Sequence, residues 1–287
     1  MARGIGVAPG RLLDPLQIRR RYRACGLLRF ESSLSLRGRV RVGENCNSRN
    51  NLNFKETLRT LPMVASTFST LQDNSAHGED NLLTRDLGNG DFLDVVMDGV
   101  TGHGGAEASR ELAEALAESN ADTIEEIAAT VNDVNNEFFG VGGGRFLLTT
   151  VSVALYRGGR LHVAAAGDSP IIHVTPDSHD RLCGRLGGFL HVGVARAVGA
   201  AGTLGEMVRR DINIEPGARI VLATDGVTDN MDAAELAEIV RSAATPEEAT
   251  GRIEEIIAGR LVEGRVPEKL GVRFRYDDRT AIVRFFD

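Results

Sequence analysis

Four carboxylates in this chain share one kind of surrounding: each stands where a β-rich run meets a turn. Asp98 closes the apolar run in DVVMDGVTGHGGAEAS, Asp168 sits in AAAGDSP, Asp225 in VLATDGVTD and Asp277 in YDDRTAIV. Glu79 and Asp80, in AHGEDN, precede a short apolar pair. Carboxylates gathered at strand edges repel one another unless a counter-charge is supplied. Hard divalent cations that take oxygen ligands, Mg2+ or Mn2+, are the natural partners. No pair of histidines with ligand spacing accompanies the acids, which disfavours zinc. Asp98 and Asp225 are each followed by glycine, which lets a backbone approach an ion closely.

The elements that must position these acids alternate between strands and helices from Met63 onward. Val64–Gln72 has strand composition, and Asp91–Gly99 reads as a second strand ending at a glycine turn. After it, GAEASRELAEALAES places Ala108, Leu112 and Leu116 at helical spacing, with Glu107 in the first turn, where it suits the helix dipole. ADTIEEIAATVNDVNNEFF continues with Ile124, Ile127, Val131 and Val134 three to four apart, so two helices joined at SNAD cover one face of a sheet. RFLLTTVSVALYRGGRLHVAAAGDSPIIHV holds two β-rich runs joined by RGG, a hairpin signal. DINIEPGARIVLATDGV repeats that pattern, with Pro216–Gly217 at the turn. Helical stretches follow at DAAELAEIVRSA and PEEATGRIEEIIAGRLVE, and RTAIVRFF closes the chain as a strand. Clustered strands and helices favour an α+β sandwich of antiparallel sheets over a doubly wound parallel sheet.

The whole chain has 287 residues, 42% of them apolar, enough for a substantial core. No apolar run approaches membrane-span length. Cys25, Cys46 and Cys183 are far apart and form no CxxC pair, so neither a disulfide framework nor a structural zinc site is indicated, and a reducing, cytoplasmic setting is the expectation. Residues 1–62 hold 13 Lys and Arg against 4 Asp and Glu, whereas the remainder holds 20 against 36. That asymmetry sets a basic extension apart from an acidic domain at 63–287. The extension lacks a convincing period and reads as disordered, or as sequence upstream of an internal start at Met63; a basic arm for nucleic acid or a membrane surface and a targeting peptide are the other readings.

The acids and their order resemble the metal-dependent protein phosphatases of the PP2C (PPM) family. The resemblance spans about Ala65 to Phe286 and rests on five ordered motifs: GEDN, DGVTGHGGAEAS, LLTTVSVAL with LHVAAAGDS, IVLATDGVTD and DDRTAIV. It implies a four-layer α-β-β-α sandwich of two antiparallel sheets flanked by helices, with a metal site at one end. Carried over by motif, Asp98 bridges two Mg2+ or Mn2+ ions and Gly99 offers its backbone carbonyl. Asp225 and Asp277 complete the first ion, while Glu79 and Asp80 act through waters on the second. Asp168 and Asp229 match the positions of a third ion. A water shared by two cations ionises near neutral pH and attacks a phosphomonoester of phosphoserine or phosphothreonine in line, so Asp98, Asp225 and Asp277 are catalytic through that water. His103 is a candidate for proton transfer, against the plainer reading of a turn histidine.

The resemblance further implies phosphoprotein substrates, targets of Ser/Thr kinases among them, with no nucleic-acid partner and a monomeric state. Departures from the pattern bear on substrate binding. Ser75 stands where the family often has a phosphate-binding arginine, Pro170 follows AGDS in place of another, and Asp278 replaces the usual asparagine. The segment from Ser169 to Gly199 is short for the flap of many bacterial members. Two rival readings remain: a pseudophosphatase-like module that binds phosphoproteins or a kinase, and a sporulation or stress-type regulatory phosphatase acting on an anti-sigma-factor antagonist. GVGGG at 140–144 leads toward a strand without a following Lys, so it is a connector rather than a phosphate loop.

Overall fold

A computed structural model describes residues 64–184, 197–205, 207–264 and 275–287. The basic extension at 1–62 and residues 185–196 of the shortened flap lie outside the described residues. In chain order the strands are β1 (Ser66–Asp73), β2 (Asn81–Gly88), β3 (Asp91–Met97), β4 (Val151–Arg157), β5 (Arg160–Ala166), β6 (Ile171–Val174), β7 (His179–Cys183), β8 (Val208–Asn213), β9 (Arg219–Ala223) and β10 (Arg279–Phe286). The helices are α1 (Gly105–Glu118), α2 (Ile124–Gly142), the single turn α3 (Asp225–Thr228), α4 (Ala233–Ser242) and α5 (Pro246–Glu263). Two antiparallel sheets result, one ordered β1-β10-β9-β6-β7 and the other β2-β3-β4-β5-β8.

The period-two alternation of side chains explains why the central strands are apolar throughout. In β3, Leu93, Val95 and Met97 pack against Leu112, Leu116, Ile127 and Val131 of α1 and α2. The alternate residues Phe92 and Val96 face Ile220, Leu222, Ile282 and Phe286 of the other sheet. On the far side, Val221, Ala223, Val283 and Phe285 meet Leu236, Val240, Ile253 and Ile257 of α4 and α5. The layers are therefore helix, sheet, sheet, helix. Threonines fix the helix starts: Thr123 accepts from the Glu126 N–H and Thr245 from the Glu248 N–H, while the two glutamates accept from the N–H groups of Asp122 and Ala244 just before the caps. The glycine run after Phe139 serves a different purpose from binding, because Gly143 ends α2 in the left-handed conformation.

Two sequence expectations change. Strand β2 was not expected, because its NLLTRDLG composition is half polar. It pairs with β3 through Asn89–Gly90, both at positive φ, the two-residue turn that Asn-Gly favours. Second, the runs flanking Pro216–Gly217 do not form a hairpin with each other. β8 adds to the exposed edge of β5, whereas β9, buried on both faces, lies between β10 and β6 of the opposite sheet. A mostly exposed strand suits an edge and a continuous apolar one suits a sheet centre, so the turn crosses between sheets.

Asp94 occupies an inward position of β3 and is fully buried. Arg284 of β10 reaches it from the other sheet with two bonds, Nε to Oδ2 at 2.7 Å and Nη2 to Oδ1 at 2.9 Å. The guanidinium also stacks over Phe92, 3.6 Å from the ring centroid. Removing one partner strands a desolvated charge, so Asp94→Ala should lower unfolding free energy by about 3–5 kcal/mol. Urea denaturation of the variant beside wild type checks this; a loss well under 1 kcal/mol contradicts it.

Candidate metal centre

Asp98 follows β3 in the same alternation as Phe92, Asp94 and Val96, which directs it toward the space between the sheets. Its main chain is fixed on both sides. The Asp98 N–H donates to Thr150 Oγ1 at 3.0 Å, and its carbonyl accepts from the Thr150 N–H at 2.7 Å and from Thr149 Oγ1 at 3.0 Å. Thr150 Oγ1 in turn lies 2.8 Å from the fully buried Ser169 Oγ. Ser169 is thus a prop for the acid and, being enclosed, is not placed as a nucleophile.

The glycines after the two strand-end acids have a packing reason. A Cβ on Gly99 would overlap the Gly105 backbone and the Glu79 carbonyl, and one on Gly226 would overlap the carbonyl oxygen of Asp278. These contacts hold the Asp98 turn against the start of α1 and the Asp225 turn against the start of β10. The Gly99 N–H donates to the Glu79 carbonyl at 3.2 Å, which brings the GEDN loop alongside.

Asp80 is buried beside Thr224, whose Oγ1 donates to its Oδ2 at 2.8 Å. Thr224 also accepts from the Thr280 N–H at 3.0 Å, so one hydroxyl ties β9, β10 and the acidic loop together. Asp278 organises the same loop from the other side. Its Oδ1 accepts from the N–H groups of Ala76 (3.0 Å) and His77 (2.9 Å), and its Oδ2 from Glu79 (2.7 Å). An acid suits this place because both oxygens accept.

Burial pushes the Asp80 carboxyl up to about 7, with the bonds from Thr224 and Thr280 opposing and the charges of Asp278 and Asp277 adding to the rise. Burial likewise raises Asp98 well above the usual carboxylate range, reinforced by Asp80, Asp168 and Asp277, with Arg275 opposing. Asp168 is raised by burial and eased by its own backbone bond and by Arg275. Asp225, Asp229 and Asp277 gather round that same arginine. Arg275 Nη2 pairs with Asp225 Oδ2, and Nε lies 3.2 Å from Asp229 Oδ2 and 3.4 Å from Asp277 Oδ2. His77 Nε2 approaches Asp277 Oδ1 at 3.9 Å. Asp80, Asp98, Asp168, Asp225, Asp229 and Asp277, from segments almost two hundred residues apart in sequence, therefore share one field at one end of the paired sheets.

Glu79 stands at the rim, where Thr101 Oγ1 donates to its Oε2 at 2.5 Å. His103 lies on the exposed turn before α1, and its Nδ1 is 2.8 Å from the Arg145 carbonyl oxygen. Ser75 bonds through Oγ to Tyr276 Oη at 3.1 Å. Cys183 is buried, its thiol raised to about 11, and so is not a thiolate near neutral pH. Sequence reasoning missed Arg275, Asp278's loop bonds and the threonine lattice; a basic residue two positions before Asp277 was the available signal for the first.

Among the described residues, no three His, Cys, Asp or Glu side chains form a ready-made metal cage. The guanidinium of Arg275 stands among three of the acids instead. The donors still fit hard divalent cations: they are oxygen-only, too many for one arginine to neutralise, and three of them have their charged form disfavoured by burial.

The profile of the Stage II sporulation protein E (SpoIIE) family matches residues 92–284, about two thirds of the chain. The chain belongs to the SpoIIE family. Its fold is that of PP2C-type serine/threonine phosphatases. The solved structure of PppA, a regulatory component of the type VI secretion system (T6SS) in Pseudomonas aeruginosa, superimposes with a TM-score of 0.63 at 21% identity, covering 78% of this chain and 99% of that one. The serine/threonine phosphatase PstP/Ppp of Mycobacterium tuberculosis gives 0.60 at 19% identity, covering 78% and 100%. The PstP catalytic domain in complex with two manganese ions gives 0.59 at 19% identity, covering 78% and 99%. No curated protein matches the sequence. No helix among the described residues of this SpoIIE-family chain is long and apolar enough to cross a membrane.

Two predictions follow from this geometry. Asp278→Ala removes three acceptor contacts from the loop carrying Glu79 and Asp80, and should weaken Mn2+ affinity roughly 10–100-fold, as loss of an outer partner of metal ligands does; the metal-induced rise in melting temperature reports it. The second concerns Asp80 in chelator-treated protein. A carboxyl whose folded pKa is raised contributes stability that is complete at low pH and lost as pH rises through about 7. Asp80→Asn should therefore gain stability relative to wild type as pH rises from about 4 to about 7 and level off above, and a difference that stays flat across that window contradicts it.

Proposed function

We propose that this chain is a metal-dependent phosphomonoester hydrolase that removes phosphate from phosphoserine and phosphothreonine in proteins. The observation that carries the reading is the gathering of six aspartates at one end of a PP2C-type sandwich, where burial and mutual repulsion leave negative charge in need of cations. In this reading Asp98, Asp225 and Asp277 would hold one ion, and Asp98 with Glu79 and Asp80 would hold a second. Asp168 and Asp229 flank a place for a third. Mg2+ or Mn2+ bound there would supply an activated water and offset charge on the transferring phosphoryl group.

The protein's own residues supply positioning. Thr149 and Thr150 hold the Asp98 backbone, Thr224 orients the Asp80 carboxyl, and Asp278 shapes the loop that presents Glu79. No side-chain nucleophile is needed, which agrees with an enclosed Ser169 and a protonated Cys183. His103, on the exposed turn, is the remaining candidate for exchanging a proton with the leaving group. The resemblance in fold to PppA and PstP supports phosphoproteins as substrates. A substrate among anti-sigma-factor antagonists has the SpoIIE match behind it and uses the same residues, so the acid set does not favour it over other phosphoproteins.

Hydrolysis of a phosphothreonine peptide or of p-nitrophenyl phosphate, measured with Mn2+ and then with chelator, tests the reading. Turnover should require the metal, and Asp98→Ala or Asp225→Ala should reduce it to background while the circular dichroism spectrum is retained. Turnover in either variant near the wild-type rate contradicts the site, and an inactive wild type at saturating metal favours a phosphoprotein-binding module.

A further inference from the structure

We propose that Arg275 is a tethered counter-cation of the acidic centre, and that it competes with a divalent ion for the carboxylates of Asp225 and Asp277. The inference rests on the reading of this centre as a metal site, and it concerns how that site is loaded.

The guanidinium is placed by a built anchor. Asn230 is fully buried, and its side-chain amide grips the Arg275 backbone from both sides, Nδ2 donating to the Arg275 carbonyl at 2.9 Å and Oδ1 accepting from the Arg275 N–H at 3.4 Å. The same Nδ2 donates to the Gly226 carbonyl at 2.7 Å, so the anchor belongs to the turn that presents Asp225. Arg260 reinforces it by donating to the Asn230 carbonyl at 2.7 Å while pairing with Glu235. From this fixed point the side chain reaches acids on both sides of the centre: Asp225 and Asp229 at either end of α3, and Asp277 before β10.

Arginine and metal compete for these carboxylates on physical grounds. Mg2+ needs its oxygen ligands at about 2.0–2.1 Å, and Nη2 and Nε already lie against one oxygen of each acid. Two cations in one small cup also repel. Arginine stays charged at every working pH, so proton loss cannot remove it. It leaves only by swinging outward, and a side chain that is 46% exposed has room to do so. Metal binding and arginine release are then one equilibrium, and the apparent metal affinity falls by the fraction of molecules in which the arginine is seated. Arg275 also screens the acids of the metal-free protein, lowering the rise in Asp98 and Asp168.

The test is Mn2+ binding to the purified full chain, followed by the electron paramagnetic resonance signal of free Mn2+, for wild type, Arg275→Gln and Arg275→Lys. Loss of three partly exposed ion pairs predicts an affinity about threefold or more tighter for the glutamine variant, with lysine between. The metal-free glutamine variant should melt below wild type, and saturating Mn2+ should close that gap. Equal or weaker Mn2+ affinity in the glutamine variant, with wild type binding normally, overturns the proposal. Should that variant not fold, lysine carries the same comparison, and wild-type affinity there overturns it. If even wild type binds no Mn2+, the metal-centre reading itself fails and the competition falls with it.

Discussion

Negative charge concentrated where two sheets exclude water is the constraint on which this structure turns. Each aspartate of the centre would ionise readily in water, yet burial raises Asp80, Asp98 and Asp168, and three of their neighbours crowd round one guanidinium. Such an arrangement costs folding free energy and survives only because the apolar layers on either side stabilise it. The inter-sheet core from Phe92 to Phe286 and the two helix-covered faces provide that stabilisation. Positive charge is what this geometry calls for, and Arg275 supplies part of it.

The acids are held by backbone far more than by side-chain packing. Asp98, Asp225 and Asp277 all lie just beyond the ends of central strands, where the ladder hydrogen bonds stop and threonine hydroxyls take over. Gly99 against Gly105, and Gly226 against the Asp278 carbonyl, let separate turns touch without an intervening side chain. These glycines admit another stretch of backbone, and that contact aims the acids.

The buried Asp94–Arg284 pair shows the other way this fold handles an inward carboxylate. Four residues before Asp98 in the same alternation, Asp94 receives a two-point guanidinium from the facing sheet and is closed off by Phe92. Among the described residues Asp98, at the open end, has no such dedicated partner and instead joins a shared field. The contrast separates a structural acid from one left available for chemistry, and the difference is position along the strand rather than residue type.

Much of this was legible in the residues themselves. The 3.6-residue spacing of Leu112, Leu116, Ile127 and Val131 fixed the helices, because those side chains must share a face. The ordered acid motifs identified the architecture through their resemblance to PP2C phosphatases. Strand β2 escaped because a half-polar strand carries weak periodicity, although the Asn89–Gly90 turn announced it. Partnership across the chain was not legible. That β8 and β9 join different sheets, that Asp278 gathers the loop amides and that Arg275 sits among the acids depend on contacts between segments up to about two hundred residues apart. Local sequence sets which face a side chain takes, but only the packing of the layers decides what it meets there.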